Sequence, residues 1–127
     1  MFSKKSLHGR FLPVKTLCLT FDDGPGETTG DGPGPKTIKI AEYLHEQGIS
    51  ATFFMVGKHI SKNLYILPEL HRLGHIIGNH TYNHLHFPSL FKDGKDILTE
   101  ITKTSELISQ YINNKTISQT CKQGVLS

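Results

Sequence analysis

The stretch LTFDDGP, residues 19–25, places two adjacent carboxylates, Asp22 and Asp23, between an apolar run and a Gly-Pro pair. Asp, Gly and Pro are common turn residues, so an acidic turn is the simplest interpretation. The alternative is a site where one carboxylate binds a cation and the other carries a proton, because a bound cation offsets the repulsion between two neighbouring negative charges. The rest of the sequence distinguishes these two interpretations.

The composition is typical of a single small globular domain. The chain has 127 residues, of which 36% are hydrophobic, and this length suits one domain better than two. The formal net charge is only +3 and the basic residues form no dense block, so nucleic acid is not expected as a partner. No apolar run approaches the roughly 18 residues of a membrane span. Cys18 lies in an apolar run and is expected to be a core residue.

The N-terminus bears on the location of the protein in the cell. It carries early lysines but no continuous apolar stretch long enough for a signal peptide. As it stands, the sequence predicts a cytoplasmic protein. An extracytoplasmic location is expected instead if an export signal lies outside this chain.

Strand-like and helix-like patterns alternate along the chain. Strands are predicted at residues 14–21, 50–56 and 75–79, and helices at residues 35–47, 61–73 and 96–112. Gly48 and Gly74 are expected to end the first two helices. The apolar stripe of the last helix is expected to consist of Ile97, Ile101, Leu107, Ile108 and Ile112. Such alternation is typical of βαβ units with a parallel sheet.

The predicted topology brings two polar clusters together. Asp22 and Asp23 end the first predicted strand, and His80 and His84 follow the third, so both pairs are expected on one face of the sheet, at the carboxyl ends of its strands. A catalytic zinc site usually takes three protein ligands and keeps one position open, which two histidines and one of the two aspartates would satisfy. The other aspartate would lie within reach of the metal-bound water, whose pKa the metal lowers to roughly 7. His86 is close enough in sequence to be considered as a further ligand.

One loop approaches a nucleotide-binding pattern. The segment GDGPGPKT, residues 30–37, is similar to the G-x-x-x-x-G-K-[ST] phosphate-binding loop. Pro35 occupies the position of the last glycine, and proline has no backbone N–H to donate to a phosphate. Nucleotide binding is therefore not expected.

Four motifs carry a family resemblance. They are TFDDGP (20–25), SATFFMVG (50–57), GHIIGNHT (74–81) and HTYNH (80–84). In this order they resemble the polysaccharide deacetylase family, carbohydrate esterase family four, which includes chitin and peptidoglycan deacetylases. The resemblance implies a distorted (β/α) barrel. It also implies a hydrolase that removes N-acetyl groups from an N-acetylglucosamine-containing polysaccharide or oligosaccharide, with a divalent metal, most readily Zn²⁺ and alternatively Co²⁺.

The resemblance also assigns roles by position. It implies that Asp23, His80 and His84 bind the metal, and that Asp22 is the general base that takes a proton from the metal-bound water. Thr81 is expected to hydrogen-bond within the motif loop and hold its shape. The residues that bind the substrate are not identified.

The chain departs from the family pattern in its second half. The family continues with Arg-Pro, Asp-Trp and Leu-x-His segments, the last of which supplies the general acid for the leaving amine. None of these segments is present, and the sequence contains no Trp. A βαβ unit takes ~30 residues, so we expect a partial barrel, truncated after about half of its strands.

This departure sets the expected domain boundaries and an alternative function. We expect an N-terminal extension at 1–15, an incomplete catalytic domain at 16–112 and an atypical tail at 113–127. The alternative to a deacetylase is a catalytically impaired remnant that retains only metal or sugar binding. An open sheet edge is usually covered, so an oligomer that covers it is a further expectation.

Overall fold

The computed structural model describes residues 13–26, 36–86 and 96–112, together with Pro88. Its elements are β1 (Thr20–Gly24), α1 (Thr37–Glu46), β2 (Thr52–Met55), α2 (Gly57–Ile60), α3 (Ile66–Arg72), β3 (Ile76–Asn79) and α4 (Ile97–Tyr111). The strands form one parallel sheet in the order β1-β2-β3. The predicted parallel α/β architecture is therefore confirmed. In this part of the chain, no helix has the length and apolarity needed to cross a membrane.

The core is built around the middle strand, β2. Phe53 and Met55 are fully buried, and they share one apolar cluster with side chains of α1, α2, α3 and α4. The ring of Phe53 stacks on Phe21 of β1, with centroids 5.0 Å apart. On the other side, β3 pairs with β2, and no described strand pairs with its outer edge. The expectation of an oligomer that covers this edge stays a prediction.

His75 is a buried structural residue that precedes β3. Its side chain lies between the Ala51 amide nitrogen, 3.2 Å from Nδ1, and the Ala41 carbonyl oxygen, 2.9 Å from Nε2. Because the amide must donate to Nδ1, the ring proton is on Nε2 and is donated to the carbonyl. The neutral imidazole therefore ties β2 and β3 to α1.

The first strand begins later than predicted. A strand was expected over 14–21, but β1 starts at Thr20, and Val14 is 92% exposed. Cys18 is exposed as well, so its assignment to the core is wrong. A β2 amide donates to the carbonyl of Leu19. Pairing with β2 begins there, and β1 therefore starts at Thr20.

The predicted helix over 61–73 is helical only in its second part, as α3, because residues 61–65 form a turn between α2 and α3. The Asn63 side chain donates to the Pro25 carbonyl at 3.1 Å, which ties the turn to the end of β1. Pro68 lies in the first turn of α3, where the missing N–H would have no helical partner in any case. The single-helix prediction is therefore wrong for the segment that holds this turn.

The ends of the helices follow their local sequence. Gly48 and Gly74 come just after α1 and α3 with φ of 68° and 79°, a conformation that glycine adopts without steric cost. Both predicted stops are confirmed. The predicted start of α1 at Pro35 lies outside the described residues.

The last helix buries most of the predicted stripe but differs from the prediction at one position. Asp96 caps its start by accepting a hydrogen bond from the Leu98 amide at 2.9 Å. The buried positions of α4 are Glu100, Thr104 and Ile108. Ile101 is instead 42% exposed, so the predicted apolar stripe is wrong at this residue, whereas Ile97 is half-buried and Ile108 and Ile112 are buried. The reason is that Glu100 turns inward to contact the loop that follows β3.

Candidate metal centre

A bulge in β1 sets the position of the two carboxylates. Where β2 has one residue, β1 has two, Asp22 and Asp23, so the register shifts between Phe21 and Gly24. Asp23 has a φ of 66°, in the left-handed region. A bulge bends its strand and redirects the side chains that it carries. The two aspartates therefore lie within β1 rather than after its end as predicted.

The structure brings one of these carboxylates to both histidines of the HTYNH motif. Asp23 Oδ1 lies 3.0 Å from His80 Nε2 and 2.9 Å from His84 Nε2. The three potential ligand atoms lie within 4.8 Å of one another. Asp22 and His86 are both exposed, and neither belongs to this set.

The arrangement fits a divalent cation. Asp23 Oδ1 is buried and has no hydrogen-bond partner, because neither nearby imidazole nitrogen meets hydrogen-bond geometry. A buried carboxylate oxygen without a donor is costly, and a cation would satisfy it. Ionised carboxylates and neutral imidazoles are the forms in which these side chains bind metals. Two nitrogen atoms and one oxygen atom also match the donors of catalytic zinc sites.

The backbone that follows the bulge is held by neighbouring elements. His59 Nδ1 lies 3.2 Å from the Asp23 carbonyl oxygen, and because a carbonyl only accepts, this nitrogen carries the proton. The Val56 amide donates to the Gly24 carbonyl at 2.8 Å. Contacts with β2 and α2 thus fix the main chain that carries Asp23.

The loop that carries the histidines has an unusual backbone. Thr81 and His84 have φ of 63° and 56°, in the left-handed region. The Thr81 amide donates to Asn79 Oδ1 at 2.8 Å, and its carbonyl accepts from the Gly57 amide at 2.9 Å. Thr81 therefore makes its hydrogen bonds in this loop through its main chain. Its supporting role, like the roles of Asp22, Asp23 and the histidines, stays a prediction.

Sequence analysis missed the polar residues that join this loop to α4. The Asn79 side chain donates to the Ile101 carbonyl at 2.7 Å and to Ser105 Oγ at 2.8 Å. Glu100 accepts hydrogen bonds from the backbone amide and the side chain of Asn83, at 2.8 and 2.6 Å. A signal for the two asparagines exists, because the dipeptide Asn-His occurs at residues 79–80 and again at residues 83–84, and each asparagine bonds α4.

Glu100 is ionised in this environment. Burial raises its pKa, but hydrogen bonds from Asn83 and the Tyr82 amide, with the charge of Lys103, outweigh burial and lower the pKa below its ordinary value. Lys103 Nζ also lies 3.7 Å from the centre of the Tyr82 ring. A hydrogen bond with Ser61, partly opposed by burial and aided by Lys103, lowers the pKa of the Tyr82 hydroxyl.

A groove of about 410 Å³ adjoins the cluster. Its lining residues are Asn79, His80, Thr81, His84, Leu85 and Ile101. Leu85 and Ile101 give it an apolar wall, while the histidines give it potential metal ligands. An apolar wall with a few convergent polar groups is typical of small-molecule sites.

Comparisons with known proteins agree with the fold. The sequence matches the polysaccharide deacetylase family over residues 10–121. A peptidoglycan-N-acetylglucosamine deacetylase of Bacillus cereus is 37% identical over 95 residues, which are 74% of this chain and 31% of the relative. A chitooligosaccharide deacetylase of Rhizobium leguminosarum bv. trifolii is 34% identical over 95 residues, 74% of this chain and 40% of the relative. The structure of a family 4 carbohydrate esterase from Bacillus anthracis is similar with a TM-score of 0.63 and 34% identity, over 79% of this chain and 44% of that protein.

The fold and the Asp-His-His cluster define a parallel α/β protein with a candidate metal centre. The match over residues 10–121 shows that the chain belongs to the polysaccharide deacetylase family, whose members are metal-dependent deacetylases. Its three-stranded sheet corresponds to part of the (β/α) barrel of family 4 carbohydrate esterases. The matched region spans less than half the length of each of these relatives. The expected domain boundaries at residues 15 and 112 stay predictions.

Proposed function

We propose that this chain carries the metal-binding side of a site that removes N-acetyl groups from N-acetylglucosamine-containing polysaccharide, of the peptidoglycan or chitin type. The observation that carries the proposal is the buried, unpaired Oδ1 of Asp23, which lies 3.0 and 2.9 Å from the Nε2 atoms of His80 and His84. The names of the relatives supply the substrate class.

Asp23, His80 and His84 would hold the metal, and Zn²⁺ is the proposed ion. Zinc favours nitrogen and carboxylate ligands, and its catalytic sites usually have three protein ligands. When bound, such a cation lowers the pKa of a coordinated water and polarises a carbonyl oxygen. Co²⁺ is the alternative, because imidazole and carboxylate ligands also suit it.

Asp22 is the proposed general base. It lies on the bulge next to Asp23, and its exposed carboxylate is open to a proton from the attacking water. The water oxygen would bond to the acetamide carbonyl carbon, and its proton would pass to Asp22. The C–N bond then breaks, acetate leaves, and the sugar amine takes a proton.

The sugar amine needs a proton donor when it leaves, and the lining of the described groove favours a second candidate function for this reason. Among the described residues that line the groove, the only titratable side chains are those of His80 and His84, which are already assigned to the metal. A chain that binds metal or sugar without turnover is therefore the alternative. Acetate release separates the two functions.

The test combines metal binding with acetate release. We expect the wild type to bind Zn²⁺ or Co²⁺ in a calorimetric titration and to release acetate from chitin or peptidoglycan oligosaccharides. His80→Ala and Asp23→Asn should lose metal, and the asparagine tolerates the left-handed backbone at this position. Asp22→Asn should keep the metal but lower acetate release by about 10²–10⁴-fold. His86→Ala, which removes an exposed histidine outside the cluster, is the control and should bind metal normally.

Each outcome has a defined meaning. A folded wild type that binds no metal contradicts the proposed centre. Metal binding without acetate release supports the binding-only alternative. Loss of metal in Asp22→Asn shows that the two aspartates do not divide the roles as proposed.

A further inference from the structure

We propose that Glu100 is a positioning residue of the metal centre, which holds the histidine loop through Asn83 and thereby fixes the orientation of His84. The inference rests on the proposed function, because it takes the cluster of Asp23, His80 and His84 as the metal site. Glu100 acts on this site through the residue that comes directly before a ligand.

The contact between Glu100 and the loop uses both carboxylate oxygens. Oε2 accepts from the Asn83 amide at 2.8 Å, and Oε1 accepts from Asn83 Nδ2 at 2.6 Å. Hydrogen bonds to an ionised acceptor are about twice as strong as neutral ones. The backbone and the side chain of Asn83 are therefore fixed by one buried group, immediately before His84.

The opposite side of the loop is held by α2. The Gly57 amide donates to the Thr81 carbonyl at 2.9 Å, and the Lys58 amide donates to the Tyr82 carbonyl at 2.9 Å. Lys58 Nζ donates to the Asn83 carbonyl at 3.1 Å. The carbonyls of residues 81–83 thus face donors of α2, whereas the amides of Tyr82 and Asn83 face the Glu100 carboxylate. Because the Asn83 groups that face α4 are both donors, the α4 side chain that meets them must be a hydrogen-bond acceptor.

Core packing does not account for a carboxylate at this position. Glu100 is 8% exposed and lies one turn before Thr104 and two turns before Ile108 on the buried face of α4. Burying a carboxylate is costly unless hydrogen bonds compensate, and an apolar residue would fill the space without that cost. The two hydrogen bonds that Asn83 donates compensate for the burial of the Glu100 carboxylate.

The backbone of His84 needs such support. Its φ of 56° is rare for a residue with a side chain, and it persists only where the surroundings enforce it. The bonds from Glu100 to Asn83 act on the preceding residue. They therefore help to hold the conformation that points His84 Nε2 at Asp23.

Glu100→Gln is the main test variant. Its amide offers one acceptor oxygen where the carboxylate offers two, and even if Asn83 turns its side-chain amide over, both remaining hydrogen bonds are neutral and weaker, so the loop should loosen. We expect Zn²⁺ affinity, measured by competition with a chromophoric chelator, to fall by about 10–100-fold, as is usual for residues that orient metal ligands. The absorption spectrum of the Co²⁺ form should change, and the Asn83 amide should exchange faster in the metal-free protein. Glu106→Gln removes the same charge from an exposed position of the same helix and should change neither.

Exchanging the carboxylate and the amide between residues 83 and 100 distinguishes positioning of the histidine loop from the effect of the charge of Glu100. Asn83→Asp should weaken metal binding, because two carboxylates then oppose each other. In the double variant Asn83→Asp/Glu100→Gln, the new amide can donate to the new carboxylate and accept from the backbone amide of residue 83. We expect the double variant to recover most of the lost affinity.

Several results would overturn the assignment. These are equal metal affinity in the wild type and Glu100→Gln, or a double variant that binds no better than Asn83→Asp alone. A lower unfolding temperature with unchanged affinity would show a merely structural role. If Glu100→Gln does not fold, Asn83→Ala, which removes only the side-chain bond, must weaken metal binding instead. A wild type without metal contradicts the proposed function, whereas a metal-binding wild type with unaffected variants contradicts only the role of Glu100.

Discussion

Helices α1 and α4 both pack against the sheet core, but they bury different chemistry. The buried residues of α1 are Thr37, Ala41 and Leu44. Those of α4 are Glu100, Thr104 and Ile108. The first helix covers the sheet mainly with apolar contacts, whereas the second also provides acceptors for the histidine loop. The difference is that α4 places a carboxylate on its buried face, next to the loop that carries His80 and His84.

The strongest test of this contrast is Leu44→Ala on α1. Leu44 is 7% exposed within the core, so truncation should lower the free energy of unfolding by about 2–5 kcal/mol. The measurement is urea unfolding followed by circular dichroism. Below the transition, the Zn²⁺ affinity of the folded protein should match that of the wild type. A loss of affinity like that expected for Glu100→Gln would remove the distinction between the two helices.

Gly57→Ala tests the point where α2, the histidine loop and α4 meet. A Cβ at this position would lie 2.5 Å from Tyr82 Cδ2 and still closer to Thr104 Oγ1. We expect a loss of about 1–3 kcal/mol in the free energy of unfolding, with weaker metal binding because the loop is displaced. Adding Thr104→Ala removes one of the two contacts and should restore part of the stability. Unchanged metal affinity in Gly57→Ala would show that the loop does not depend on this close packing.

The smallest expected effect is the pH dependence that Glu100 contributes. Its pKa in the folded protein lies below the ordinary value of 4.5, so its stabilising contribution is full above that value and is lost as the pH falls through the lower folded-state pKa. The groups that act on it are Asn83, the Tyr82 amide and Lys103. Urea unfolding from neutral pH down to about pH 3 should therefore show a shrinking difference between wild type and Glu100→Gln. A difference that is constant over this range would argue against an ionised Glu100 in the fold.

Much of the fold was predictable because its signals are local. Apolar runs bounded by glycine mark β2 and β3, and Gly48 and Gly74 end helices by adopting a backbone conformation that suits glycine. The proximity of the two aspartates to His80 and His84 was also predictable, since strand ends in a parallel sheet meet at one edge, whereas the choice of Asp23 over Asp22 came from the family resemblance. These features need no knowledge of which residue faces which across the sheet.

The remaining features depend on contacts between residues that are far apart in the sequence. The bulge at Asp22 and Asp23 appears only when β1 is aligned with β2, so a single sequence does not reveal it. Glu100 is bonded to Asn83, which lies 17 residues earlier. Helical periodicity assigns apolar residues to the buried face, and it therefore placed Ile101 inside and left Glu100 out.

The extra residue in β1 has a consequence for how such a chain can change over evolutionary time. A deletion that removed Asp22 or Asp23 would let β1 pair with β2 without interruption, and regular pairing favours a stable sheet. The same deletion would remove or misdirect the carboxylate that meets the two histidines. Selection for thermal stability alone would thus favour the loss of this irregularity.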